Sequence, residues 1–201
     1  MNLSDLPFFK NVSRETIDKL HFFQALYLKW GKKTNLSSRH DLDDLAVRHI
    51  IDSYQISSII GSLNHQCLDV GSGGGFPGVI LSIIGHPIAL YEIDLKKIIF
   101  LEEVRRQLNL KYELVTNDAF AIQKSFDVVT ARAFTSLVGL LQIQKNVSRE
   151  TTVGIFPKGK TYAEEIMDAQ KKWNFDYNLI DSCTNDMSKI VVVQNVGEKN
   201  G

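Results

Sequence analysis

Residues 67–78 read CLDVGSGGGFPG, an apolar run that breaks into Gly71, Gly73, Gly74, Gly75 and Gly78, interrupted by Ser72, Phe76 and Pro77. Two kinds of ligand chemistry suit such a loop. The spacing Gly73-x-Gly75-x-x-Gly78 satisfies the dinucleotide fingerprint G-x-G-x-x-G, in which backbone amides approach a pyrophosphate. Read from two glycines earlier, the loop becomes Asp69-x-Gly71-x-Gly73-x-Gly75, with a carboxylate at its base. Beside a pyrophosphate that carboxylate is repelled, by about 4 kcal/mol for unit charges 4 Å apart at an effective dielectric of 20. S-adenosylmethionine (SAM) has no phosphate and carries an ammonium and a sulfonium, so the same acid attracts it. The second pattern accounts for Asp69 and the first does not. Pro77 suits the first position of a following helix, whose amino terminus offers free N–H groups.

Other residues fall where a nucleoside-bearing cofactor would need them. A second apolar run, IALYEID, carries Glu92, an acid placed to accept hydrogen bonds from ribose hydroxyls in NAD and SAM enzymes alike. After a third run, Asn117-Asp118 offers polar groups to an adenine amine, or serves as a turn with a helix cap. After a fourth, FDVVTARAF brings Arg132 to the carboxyl edge of the sheet, as a ligand contact or a salt-bridge partner. Residues 154–161, GIFPKGKT, match the phosphate-loop pattern G-x-x-x-x-G-K-[ST]. Gly154 lies inside an apolar run, however, and Pro157 removes a backbone donor, so the match is read as accidental. Lys158 and Lys160 then follow a fifth strand on the edge that holds Arg132.

These residues need a scaffold. Residues about 14–30 and 42–60 carry apolar side chains at helical spacing, with Ser13 as a cap and Gly31 and Gly61 as stops. From residue 66 short apolar runs alternate with helical segments: QCLDV, PGVILSII, IALYEID, LKKIIFLEEVRRQL, KYELVT, a short AFAIQK, FDVVTA, SLVGLLQIQK and TTVGIF. That alternation predicts a Rossmann-like α/β fold with a mostly parallel sheet. After a charged helix at about 160–172, NFDYNLID and KIVVVQN close the sheet as an antiparallel strand pair. The chain is expected to divide into a helical amino-terminal extension, residues 1–62, and a core at 63–201.

At 201 residues, 44% hydrophobic and 23% charged, the chain has the composition of one soluble globular domain rather than a disordered one. There is no apolar run near twenty residues, so no membrane span is implied. Nor does the segment MNLSDLPFFK have the form of a signal peptide. Cys67 and Cys183 make no metal-ligand spacing, and their scarcity suits a reducing cytoplasm. The net charge is zero, yet Lys29, Lys32, Lys33 and Arg39 stand together with no acid between residues 29 and 40. They read either as a solvated turn or as phosphate contacts.

Taken together, the chain resembles the RsmG family, also called glucose-inhibited division protein B, bacterial methyltransferases of small-subunit ribosomal RNA. LDVGSGGGFPG, Asn35-Leu36-Ser37, Arg48-His49-Ile50-Ile51-Asp52-Ser53, TARAF and FPKG carry the likeness. The resemblance implies transfer of a methyl group from SAM to N7 of a guanine in a decoding-region loop of 16S rRNA. It implies SAM contacts from Gly71, Phe76, Asn117, Asp118 and Arg132, alongside the contacts read above for Asp69, Gly73, Gly75 and Glu92. Glu92 stands where the family usually has Asp, and Asp118-Ala119 where it has an acidic pair. RNA is expected to meet Lys32, Lys33, Arg39, Arg48, His49, Arg132, Lys158 and Lys160, with His49 equally a helix-packing residue. No catalytic base, nucleophile or metal is expected, because guanine N7 offers an in-plane lone pair and no proton. The expected partner of this monomer is 16S rRNA or the small ribosomal subunit. Two alternatives remain: a SAM methyltransferase for another RNA, a protein or a small molecule, and a SAM- or nucleotide-binding module without catalysis.

Overall fold

The computed structural model describes residues 3, 6–34, 36, 42–62, 64–116, 122 and 124–199, with backbone alone for 32–34 and 42–47. Two helices, α1 (Arg14–Thr34) and α2 (Leu42–Ile60), precede the sheet. Then follow β1 (Cys67–Val70), α3 (Gly78–Ile84), β2 (Ile88–Tyr91), α4 (Leu95–Leu108), β3 (Glu113–Val115) and β4 (Phe126–Ala131). The remainder is α5 (Leu137–Val147), β5 (Ser148–Lys158), α6 (Tyr162–Gln170), β6 (Trp173–Asp181) and β7 (Lys189–Glu198). The strands form one seven-stranded sheet in the order β3-β2-β1-β4-β5-β7-β6. β1 to β5 run parallel, while β7 is antiparallel to both β5 and β6, as the alternating sequence predicts. The order turns back between β1 and β4, and in such sheets the crevice beyond the strands' carboxyl ends receives ligands.

Period-two alternation sends each strand's residues to two cores. Ile88 and Leu90 join α1 to α4 on one face, and Ala89 and Tyr91 join α5 and α6 on the other. The two amino-terminal helices are built into the first core. Phe23, Tyr27 and Trp30 of α1 meet Phe100 of α4 with ring centroids 6.3, 6.2 and 5.6 Å apart.

Several local expectations change. Ser13 caps α1 as read, its hydroxyl accepting from Thr16 N, but Gly31 does not stop the helix, which continues to Thr34. A glycine inside a helix costs about 1 kcal/mol against alanine and does not by itself end it. Gly61 does turn the chain after α2, at φ 73°. Pro77 is the cap of α3 and Gly78 its first residue. Gly154 to Lys158 pair with Val193 to Lys189 inside β5, so the apparent phosphate loop is strand. The segment AFAIQK lies almost wholly outside the described residues.

Asp69 is a charged-type side chain buried against the first core. Its side chain is fully buried, and Oδ2 accepts the Gly78 N–H at 3.0 Å, capping α3 from across the loop. Burial pushes its carboxyl up to about 7, against the pull of the Gly78 hydrogen bond. A group whose affinity for protons is higher folded than unfolded favours the fold most at low pH. The stability of the wild type relative to Asp69→Asn should therefore fall as pH rises from about 4 to about 7 and then level off, as measured by urea unfolding. A pH-independent difference would contradict this. The shared core makes a second prediction: Phe23→Ala should cost about 3–5 kcal/mol, with α1 and the sheet lost in one transition. Separate, earlier melting of α1 would show that it is not part of that core.

Candidate functional site

The glycine loop turns at the switch in strand order, and most of its amides are already engaged by protein acceptors. Gly71 N and Ser72 N both donate to Tyr91 O, and Gly75 N to Ser72 O. Gly73 N donates to Glu92 Oε2 at 2.8 Å, Gly78 N to Asp69 and Val79 N to Gly75 O. Free N–H groups at the start of α3, expected from sequence, are not what this loop presents. A phosphate would find few donors here, which independently disfavours the dinucleotide reading.

The loop instead offers carboxylates and open space. Glu92, buried at the end of β2, also accepts from Ile93 N and Asp94 N through Oε1. Those three bonds leave part of its acceptor capacity for a hydroxyl. Asp69 Oδ1 is buried without a hydrogen-bond partner. Gly73, at φ 56°, has only Gly71 O near the place where a Cβ would stand, at 3.7 Å, so the space over it is clear. Gly71 is closed on the other hand by Phe134, whose ring would lie 2.2 Å from a Cβ there. A loop with most of its amides taken, bordered by two acids, fits SAM.

Phe76, expected at the cofactor, is 8% exposed and held among aromatic rings. It contacts Phe23 at 5.3 Å, Tyr27 at 5.1 Å and His49 at 5.1 Å between centroids, and the Arg132 guanidinium lies 5.9 Å from its ring centre. His49 is buried too, and burial first, then Arg132 and Arg48, pull its imidazole down to about 3. The neutral ring accepts from Arg132 Nη2, with Nε2 at 3.0 Å. His49 is thus a packing and orienting residue for Arg132, turned away from solvent. Arg132 Nη1 remains buried without a partner.

Beside Arg132 opens a cleft of about 360 Å³. Arg48, His49, Asp52 and Gln55 of α2 form one wall. The ends of β4 and β5, with Thr135 and Lys158, form another, and Ser182 to Lys189 of the β6–β7 connection a third. That connection is clasped to α2: Thr184 Oγ1 donates to Asp52 Oδ1, and Cys183 N to Gln55 Oε1 at 3.1 Å. Lys158 differs from the expected open phosphate contact. Its Nζ lies 2.8 Å from Glu165 Oε2 and donates to Thr135 O, with 9% of the side chain exposed. Glu165 also caps α5 by accepting from Leu137 N. Lys158 therefore fixes the wall of the cleft.

The structure brings Asp69, Gly71, Gly73, Gly75, Phe76, Glu92 and Arg132 to one crevice, with Arg48 and His49 beside it. Lys160 is exposed just beyond β5. Lys32 and Lys33 lie in the last turn of α1, where only the backbone is described, and Arg39, Asn117 and Asp118 lie outside the described residues. Asp52, Gln55, Glu165 and Thr184 line or close the cleft without having been singled out. Only Asp52 had a sequence signal, as part of Arg48-His49-Ile50-Ile51-Asp52-Ser53. Cys67 has no place in the chemistry, since burial pushes its thiol up to about 12.

Solved structures share the fold at low identity. Magnesium protoporphyrin IX methyltransferase from Synechocystis with bound SAM matches at TM-score 0.61 and 11% identity, over 92% of this chain and 99% of that one. Ribosomal protein L11 methylase from Lactobacillus delbrueckii matches at TM-score 0.57 and 16% identity, over 75% and 77%. In sequence the likeness is much greater. Ribosomal RNA small subunit methyltransferase G of Rickettsia akari is 38% identical over 92% of this chain and 97% of its own length. The Rickettsia bellii protein of the same name is 37% identical over 92% and 97%. The family model described as rRNA small subunit methyltransferase G matches residues 16–190. With the glycine loop, Arg132 and nearly all of the paired amino-terminal helices inside that match, the chain belongs to the GidB family.

Proposed function

We propose that this protein methylates N7 of a guanine in 16S rRNA with SAM as donor, acting as a cytoplasmic monomer on the RNA or the small subunit. The observation that carries the reading is the juxtaposition of a glycine loop bordered by two carboxylates, with most of its amides taken, and a basic cleft, in a member of the GidB family. Asp69, Gly71, Gly73, Gly75, Glu92 and Arg132 would hold the cofactor, with Phe76 seating the loop and Asn117 and Asp118 contributing at the adenine. When bound, SAM supplies an electrophilic methyl on a positively charged sulfur. The protein's residues then have one principal task, to orient. Guanine N7 needs no deprotonation, so holding it in line with the methyl converts an encounter into an effectively unimolecular step.

Residues 1–62 serve in this reading as the substrate-side extension of the core at 63–201, because α2 supplies one wall of the cleft. Arg48 and Lys160, both exposed, are the described cations best placed for RNA phosphates, and Lys32, Lys33 and Arg39 are assigned to the same role. Arg132 acts from within, pinned by His49 and Phe76. Lys158 acts by holding Thr135.

The test is a labelled-methyl assay on small subunits lacking the modification, read by the position of the label; label on any atom other than guanine N7 would overturn the substrate assignment. Calorimetry should show SAM binding and none for NADH. Gly73→Val should weaken SAM binding by more than about 100-fold, since its side chain would project into the open space at a φ that β-branched residues avoid. Gly73→Asn, which tolerates that φ, separates backbone strain from blockage; unchanged SAM affinity in the valine variant would show the loop is misassigned. Lys160→Ala should leave SAM affinity unchanged, weaken RNA binding and reduce the dependence of log K on log salt by about one. An unchanged salt slope would remove Lys160 from the RNA surface.

A further inference from the structure

Two polar groups in the cleft have capacity that the fold leaves unused. Arg132 Nη1 is buried with no partner, although a buried donor left unsatisfied is costly and uncommon. Across from it stands Asp52, whose Oδ1 takes the Thr184 hydroxyl and which no ion pair engages among the described residues. The other carboxylate of the cleft, Glu165, is committed to Lys158 and to the amide of Leu137. The cleft is thus lined by the Arg132 guanidinium, one of whose nitrogens is unpartnered, by exposed Arg48, and by a carboxylate, Asp52, that no cation engages among the described residues.

We propose that the cleft receives the target guanine as a base drawn out of its stack, with Asp52 accepting from N1–H and N2–H₂ and Arg132 donating to O6; this rests on the guanine-methylation reading above. The pairing follows from the donor pattern of the bases. Guanine presents two adjacent donors and one acceptor along its Watson–Crick edge, which match a carboxylate followed by a guanidinium. Adenine would turn the lone pair of N1 toward the carboxylate, and the pyrimidines would turn a carbonyl toward it. A cavity of about 360 Å³ is in the range of roughly 300–1,000 Å³ usual for small-molecule sites, and enzymes that modify bases read the flipped base by that edge. N7 lies on the other side of O6 from N1, so gripping the Watson–Crick edge leaves N7 free.

The same carboxylate serves the reaction. Methylation gives the guanine ring a positive charge and makes N1–H a stronger donor. Its bond to Asp52 therefore strengthens toward the transition state, where an added interaction raises the rate rather than merely the affinity. Asp52 is also the largest of the charges acting on Arg132, so the two are arranged as an acceptor and donor that already sense one another. Thr184 holds Asp52 from the far side, fixing the carboxylate and closing the cleft in one contact.

The experiment uses small subunits reconstituted with either guanosine or inosine at the nucleotide that the wild type methylates. Inosine keeps N7, O6 and N1–H and lacks only the N2 amino group. The wild type should prefer guanosine by about tenfold or more in kcat/KM, the usual size of a hydrogen bond to a charged group. Asp52→Ala should lower the guanosine rate and bring the preference close to one, with SAM affinity by calorimetry within about twofold of the wild type. Asp52→Asn, which keeps the shape, carries the same comparison should the alanine variant fail to fold. Thr184→Val should keep the preference, because it removes the clasp and leaves the carboxylate. Equal wild-type rates on guanosine and inosine, an undiminished preference in Asp52→Ala, or equal loss of preference in Thr184→Val would overturn the assignment of Asp52. Failure of the wild type to methylate either substrate would instead overturn the guanine reading beneath it.

Discussion

Phe76 is the contact on which the rest of the site depends. It belongs to the glycine loop, yet its ring is held by Phe23 and Tyr27 of α1, His49 of α2 and the Arg132 cation. The neighbours come from three different parts of the chain. Seating one ring therefore sets the loop against the sheet, the two amino-terminal helices against the loop, and Arg132 against the cleft. Aromatic pairs of this kind contribute roughly 0.5–1.5 kcal/mol beyond the area they bury, so the geometry is held firmly by several of them together. An aromatic residue near a cofactor invites a direct-contact reading. Here its burial makes it the pin between the two halves of the site.

The two titratable groups at the base of the site are controlled by the same dryness. Asp69 keeps a raised proton affinity because burial outweighs what the Ser72 side chain and the Gly78 amide restore. Neutral His49 is the reverse case, an imidazole that burial and two arginines keep from charging. Its neutrality allows it to accept from Arg132, where an imidazolium would repel the guanidinium. A loop with most of its amides engaged, a neutral histidine and a buried arginine together set the charge pattern of this corner of the molecule.

Much of this was legible in the sequence because it is local. Alternating apolar runs gave the strands, and α4 and β4 fell on the residues read for them. The spacing of Asp69, Gly71, Gly73 and Gly75 set the loop apart from a pyrophosphate cradle, and Pro157 unmasked a false phosphate loop. What could not be read was which side chains are already occupied. Lys158 looked like a free cation until Glu165 and Thr135 were seen against it. Asp69 looked like a ligand for a sulfonium and proves to cap a helix as well. The cleft itself was invisible, because Asp52 and Thr184 meet across 132 positions of chain and no spacing rule connects them.

That last contact has a consequence for the order in which the molecule comes into being. Synthesis delivers the glycine loop and its aromatic seat early, since Phe23, Phe76 and Phe100 are all in the first half of the chain. The third wall of the cleft waits for Thr184 to emerge and clasp α2. That wall is therefore the last part of the cleft to be made, and a chain that stops short of Thr184 leaves α2 without its clasp.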